Sequence, residues 1–127
     1  MIAVDSSALI EVGAGQRQAY ACQEALLSDE LVISAATLTE VFIVAARMDI
    51  TAELERLLGL LDIEVEEIDA AFAMRAADAY RRWGKGFHRA ALNYGDSFSY
   101  ALAELYDCPL LYVGDDFAQT DVRSALA

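Results

Sequence analysis

The chain has 127 residues, 57% of them hydrophobic, with one proline, seven glycines and a formal net charge of -12. Such a composition describes one compact domain with a substantial core and excludes a disordered chain or a second domain. The longest wholly apolar run, Val41 to Ala46, is too short to span a bilayer, and the acidic excess, which repels phosphate, by itself argues against a nucleic-acid partner. The start, Met1-Ile2-Ala3-Val4-Asp5, already reads as a strand, with no basic leader and no cleavage site. Cys22 and Cys108 lie far apart and lack metal-binding spacing, so they read as buried thiols of a reducing cytoplasm, with no zinc site.

In chain order, Ile2-Ala3-Val4 is a strand and Ser6 or Ser7 caps a first helix. A second helix runs from about Gln16 to Leu27, and Leu31-Val32-Ile33-Ser34 is the second strand. Helices follow from about Thr37 to Met48 and from Ala52 to Leu61, the latter capped by Thr51. Ile63-Glu64-Val65-Glu66 alternates as a third strand. Asp69 caps a long helix to about Trp83, and Gly84-Lys85-Gly86 opens a loop ending at Gly95. The next helix carries Phe98, Ala101, Leu102 and Leu105 at helical spacing, with Asp96 in its first turn. Pro109 precedes the last strand, Leu110 to Val113, then comes the turn Gly114-Asp115-Asp116-Phe117 and a short terminal helix. Short apolar strands alternating with helices predict an α/β fold: a short, mostly parallel central sheet with helices on both faces. Sites in such sheets form beyond the carboxyl ends of the strands, where the strand order reverses.

Four acidic positions are expected at that edge. Asp5 follows the first strand and Asp115-Asp116 follow the last. Glu40 sits in a helix apolar on nearly every side, predicted to be largely buried, where a carboxylate needs a partner, a metal or a proton. A salt bridge to Arg47 is the structural alternative. Asp96, in a helix's first turn, suits the helix dipole but also stands at a fixed point of a rigid element. Carboxylates about 4 Å apart repel by roughly 4 kcal/mol per pair at an effective dielectric near 20, so such a cluster calls for a cation. Oxygen-only donors suit Mg2+ or Mn2+, which orients water and offsets charge developing on a phosphate. Phosphodiester hydrolysis fits best.

Asp5-Ser6-Ser7-Ala8-Leu9, Thr39-Glu40 in its apolar helix, Leu92-Asn93-Tyr94-Gly95-Asp96 before a helix, and Gly114-Asp115-Asp116-Phe117 followed by Thr120-Asp121 carry a resemblance. On these residues the chain is similar to PIN-domain ribonucleases and, more narrowly, to the VapC toxins of bacterial toxin–antitoxin pairs. The likeness spans residues 1–127 as one PIN domain and is narrowest over the segment Gly84 to Asp96. It implies an endoribonuclease dependent on Mg2+ or Mn2+, acting on transfer or ribosomal RNA. Carried over by position, Asp5 and Asp96 are metal ligands, while Glu40 binds metal through water or orients the nucleophile. The fourth acid directly precedes the Phe, which favours Asp116 over Asp115. Ser6 stands where the family usually has Thr, with a hydroxyl that orients Asp5. The resemblance further implies a cytoplasmic homodimer and a VapB-like antitoxin whose C-terminal segment blocks the acidic cleft.

Arg81, Arg82, Lys85 and Arg89, with His88, crowd ahead of Asp96. They read either as a patch for RNA phosphates or as the solvated end of the preceding helix. His88 reads as an exposed loop residue, and Trp83 and Phe87 as packing at a helix end rather than base-stacking platforms. Two rival functions remain. A phosphoacceptor receiver module would need a lysine after a late strand, and no lysine follows Lys85. A PIN-like binding module without turnover would not need all four acids, which are present here.

Overall fold

Three apolar runs and one alternating run form the strands of a single parallel sheet. In a computed structural model, which describes residues 1–126, the order is β1 (Ile2–Val4), α1 (Ser6–Gly13), α2 (Ala19–Leu26), β2 (Leu31–Ser34), α3 (Ala35–Arg47), α4 (Thr51–Leu60), β3 (Ile63–Glu66), α5 (Ala70–Trp83), α6 (Tyr94–Tyr106) and β4 (Leu110–Leu111), followed by a 3-10 turn at Phe117–Gln119. All pairings are parallel, in the order β3-β2-β1-β4. Side chains alternate across the sheet. Ala3, Val32 and Leu110 meet α5 and α6 on one face, while Ile2, Val4, Leu31, Ile33 and Leu111 meet α1 to α4 on the other. The α/β architecture with helices on both faces is as predicted. Among the described residues no helix is long and apolar enough to cross a membrane.

β1 lies between β2 and β4. The chain winds outward from β1 through β2 to β3, then returns through α5 and α6 to the far side of β1. The order therefore reverses between β1 and β4, and a crevice opens beyond their carboxyl ends. α6 is the helix packed deepest there, with Ser97 to Ala103 all buried. It begins at Tyr94, slightly earlier than expected. The Asn93 side chain accepts from the Asp96 backbone N–H while the Asp96 carboxylate accepts from the Asn93 N–H, a reciprocal cap that satisfies two otherwise orphan donors.

Other boundaries moved for identifiable reasons. Asp5, not Ser6 or Ser7, caps α1, accepting from Ser7 N–H. α2 starts at Ala19 rather than near Gln16, because the Gln18 N–H turns back to Glu11 Oε2 at 2.8 Å. Thr51 lies inside α4 and Ile50 occupies the cap position without a side-chain bond. β4 stops at Leu111, since the Val113 N–H goes to Ser7 Oγ at 3.0 Å rather than to a strand. In place of the expected terminal helix, the chain makes the 3-10 turn and then runs beside β4. Leu110 N–H donates to the Arg123 carbonyl (2.8 Å) and Ala125 N–H to the Leu110 carbonyl (2.9 Å), covering an otherwise open sheet edge; Ala127, the last residue of that expected helix, lies outside the described residues.

Leu102 is fully buried in the middle of α6 against the sheet. Leu102→Ala should cost about 2–5 kcal/mol by leaving a cavity that neighbouring helices only partly fill. Urea unfolding of the purified variant measures it, and a cost below 1 kcal/mol would mean that α6 is not the pillar described.

Candidate active site

Three of the four expected acids are set by helix starts at the carboxyl edge of the sheet. Asp5 ends β1 and is 3% exposed. Its Oδ2 accepts from Ser7 N–H (3.1 Å) and Ser7 Oγ–H (2.6 Å), and its Oδ1 from Ser99 Oγ–H (2.6 Å). A buried carboxylate needs such donors, and three satisfy it here. The Asp5 N–H also donates to the Leu111 carbonyl (3.0 Å), which ties the residue to β4.

Glu40 lies in the second turn of α3, half-buried rather than engulfed. Only Thr37, Val41 and Ala45 of that helix are buried, and Ile43 is 50% exposed. Hydropathy overstated its burial because α3 packs one face inward and leaves a second apolar face outside. The Glu40 Oε1 accepts from Ser6 Oγ–H at 2.9 Å. Burial, and the nearby Asp5 carboxylate, push its pKa upward against the pull of the Ser6 bond. No Glu40–Arg47 salt bridge occurs among the described residues. The hydroxyl assignment also shifts: Ser6 serves Glu40, whereas Ser7 and Ser99 hold Asp5.

Gly95 makes the approach of α3 to α6 possible. A Cβ at that position would lie 2.6 Å from Glu40 Oε2, so only a glycine lets the carboxylate rest against the α6 backbone. One residue on, Asp96 has its pKa pushed up to about 7. Burial is the largest cause, opposed by the Asn93 N–H bond, and the carboxylates of Asp5, Asp116 and Glu40 add to the rise. Asp5, Glu40 and Asp116 therefore all lie near enough to Asp96 to act on its charge. Asp116 does so from the turn after β4, where Gly114 takes a φ of 109°, open to glycine at little cost.

None of the five salt bridges among the described residues involves Asp5, Glu40, Asp96 or Asp116. Nor do any three His, Cys, Asp or Glu side chains among those residues converge as a ready-made metal cage. A hard cation such as Mg2+ does not require one, because it keeps several waters and uses one or two carboxylates. The all-oxygen donors and the poorly solvated Asp96 carboxylate, which no cationic side chain pairs among the described residues, fit such an ion.

The basic segment divides. Arg81 pairs with Asp78, and Arg82 with Asp78 and Glu104 while lying over the Tyr100 ring; Lys85 and Arg89 form no salt bridge among the described residues. His88, expected to be exposed, is instead partly buried: its Nδ1 accepts from Ala90 N–H at 3.0 Å and its ring meets Trp83 edge-on, which shapes the loop. A 170 Å³ cavity lined in part by Tyr100, Cys108, Asp121 and Arg123 lies toward the other end of α6, apart from the acids.

This fold has known counterparts. The family model for the PIN domain matches residues 2–123, so the chain is a PIN-domain protein. It is 42% identical to Ribonuclease VapC42 of Mycobacterium tuberculosis, covering 96% of this chain and 97% of that one. To Ribonuclease VapC36 of the same organism it is 41% identical, over 94% and 90% of the two chains. The chain therefore belongs to the VapC ribonucleases. Among solved structures, VapC20 of M. tuberculosis, described as a sarcin–ricin loop cleaving toxin, superposes with a TM-score of 0.77 at 17% identity, covering 96% of each chain. A toxin–antitoxin complex from Klebsiella pneumoniae gives 0.72 at 22% identity, covering 95% of this chain and 93% of that one. These two establish likeness of fold.

Two substitutions probe the cleft. With EDTA present, Asp96→Asn should stabilise the protein at pH 8 by about 1–3 kcal/mol, the carboxylate shift discounted for partial exposure. The folded pKa of about 7 lies above the unfolded value of about 3.9. The Asp96 contribution to stability is thus fully present below pH about 4 and lost as pH rises through about 7. Urea midpoints of wild type and variant should accordingly converge on acidification from pH 8 to 5; parallel midpoints would mean that Asp96 carries no strain. Gly95→Ala should leave thermal stability nearly unchanged, because the clashing atom ends a flexible side chain and Ala favours helix. Its RNA cleavage should nonetheless fall at least tenfold through displacement of Glu40 (about 1.4 kcal/mol), and wild-type turnover would show that the contact is immaterial.

Proposed function

We propose that the chain is the toxin of a toxin–antitoxin pair, an endoribonuclease whose cleft works with Mg2+ or Mn2+. The observation that carries this reading is the Asp96 carboxyl, whose pKa is raised first by burial and further by the carboxylates of Asp5, Asp116 and Glu40 beside it, a set of acids whose charge a divalent cation would offset. Asp5 and Asp96 would hold the ion directly. When bound it would activate a water and offset charge developing on the phosphate. Glu40, more basic than an ordinary glutamate and aimed by Ser6, orients the attacking water and accepts its proton. Asp116, exposed in its turn, completes the acidic set. Lys85 and Arg89 meet substrate phosphates.

A folded RNA, transfer or ribosomal, is the proposed substrate class; the structural neighbour described as a sarcin–ricin loop cleaving toxin supports it. The exposed apolar side chains Ile43 and Tyr94 beside the acids suit a homodimer, and the toxin–antitoxin complex of like fold supports a VapB-like partner. Residues 1–127 would act as one domain in the cytoplasm, where the two free, buried cysteines would stay reduced.

Antitoxin-free protein should cut a pool of structured RNAs into discrete products with Mg2+ or Mn2+ and leave it intact with EDTA. Asp116→Asn, which breaks no hydrogen bond seen in the structure, should lower cleavage at least about 10²-fold (near 2.7 kcal/mol), whereas Asp115→Asn should retain it. Metal-independent products, or equal rates in wild type and Asp116→Asn, would overturn the assignment.

A further inference from the structure

Behind Asp5 runs a line of three hydroxyls drawn from three other elements, β2, α3 and α6. Ser34, Thr37 and Ser99 are at most 1% exposed. Ser34 Oγ–H donates to Thr37 Oγ1 (3.0 Å) and accepts from the Thr37 N–H (3.0 Å); Thr37 Oγ1 lies 3.3 Å from Ser99 Oγ; Ser99 Oγ–H donates to Asp5 Oδ1 (2.6 Å). Each hydroxyl has one proton. As a carboxylate, Asp5 only accepts, so Ser99 has its proton committed there and must accept from Thr37. Thr37 in turn accepts from Ser34. All three protons therefore point toward Asp5, and a line of hydrogen bonds with one direction strengthens each member.

The placement along the helices matters as much as the direction. Thr37 lies three residues before Glu40 on α3, and Ser99 three residues after Asp96 on α6. Residues three apart share a helix face, so the relay joins β1, α3 and α6 next to the three acids those elements carry. Ser7 occupies the other carboxylate oxygen, Oδ2.

We propose that Ser99, backed by Thr37 and Ser34, is a positioning residue for the cleavage reaction: it fixes the rotation of the Asp5 carboxylate and presents the remaining Oδ1 lone pair to the cleft. The inference rests on Asp5 being a ligand of the divalent ion and adds which group aims it. The partners that orient a ligand commonly govern metal affinity and rate, and their loss costs about 10–100-fold.

The test uses full-length protein freed of antitoxin and compares wild type, Ser99→Ala, Thr37→Val and Thr37→Ser. Free Mn2+ is followed by EPR, kcat and KM are measured on one RNA, and stability by urea. Ser99→Ala should bind Mn2+ and turn over about 10–100-fold less well while KM for RNA changes less than about threefold. Thr37→Val keeps the Ser99–Asp5 bond but removes its support, and should fall between Ser99→Ala and wild type. Thr37→Ser restores the hydroxyl and should recover most of the Thr37→Val loss. Folded Ser99→Ala with wild-type Mn2+ affinity and kcat would overturn the proposal. If Ser99→Ala fails to fold, unchanged Mn2+ affinity in Thr37→Val would overturn it equally. A wild type that cleaves RNA and binds Mn2+ while the variants match it defeats only the relay. A wild type that does neither defeats the metal-nuclease reading and the relay with it.

Discussion

Carboxylates gathered at one edge of a sheet push one another apart, and holding Asp5, Glu40, Asp96 and Asp116 together is the constraint on which the rest of this fold depends. The protein meets it by giving three of the four acids a fixed donor. Ser7 and Ser99 hold Asp5, Ser6 holds Glu40, and the Asn93 N–H holds Asp96. The cost shows in the Asp96 carboxyl, whose pKa rises to about 7, chiefly through burial and further through the neighbouring carboxylates. Stability for this arrangement comes from elsewhere, chiefly from the unbroken buried stretch of α6 against the sheet.

Topology explains how residues from both ends of the chain share a cleft. β1 is flanked by β2 and β4, so the residues after β1 and β4 and the helix following β2 all emerge at one edge. α6 then has to bring Asp96 close beneath them. Gly95 sets the distance, because a side chain there would occupy the place of Glu40 Oε2. The site thus depends on a missing Cβ as much as on the acids themselves.

Much of this was legible in the sequence, for physical reasons that can be named. Acids directly after short apolar strands mark the carboxyl edge of a parallel sheet whatever its detailed packing, which is how Asp5 and Asp116 stood out. Glu40 stood out because hydropathy exposes an isolated charge in an apolar helix. The same signal then misled, since hydropathy alone does not separate a buried face from an apolar face left open, and α3 has both. The hydroxyls were the least readable. Ser99 sits within seven consecutive buried positions of α6, where a small polar residue looks like any small core residue until a partner from β1 is seen. Ser6 and Ser7 are adjacent, and only the helix geometry decides which faces Asp5. Arg81 and Arg82 resolve differently from Lys85 and Arg89 because Asp78 lies three and four residues before the first two, at helical pairing distance.

Net charge poses a last physical problem for an RNA-cleaving protein. At -12 the body repels a polyanion, and with two of the four basic residues of the 81–89 segment bound in ion pairs, few cations remain to draw it in. Screening shortens that repulsion to about 8–10 Å at physiological ionic strength, so what matters is the charge local to the cleft. There the four carboxylates dominate, and Lys85 and Arg89 stand in the loop that leads directly into α6. Any phosphate brought beside clustered carboxylates is tolerated only when their charge is offset, so a condition that relieved the strain at Asp96 would also ease the approach of a polyanion. With only Lys85 and Arg89 outside the ion pairs of the 81–89 segment, that segment by itself offers little nonspecific electrostatic affinity for a polyanion. Shape at the crevice between β1 and β4 then matters more than long-range attraction.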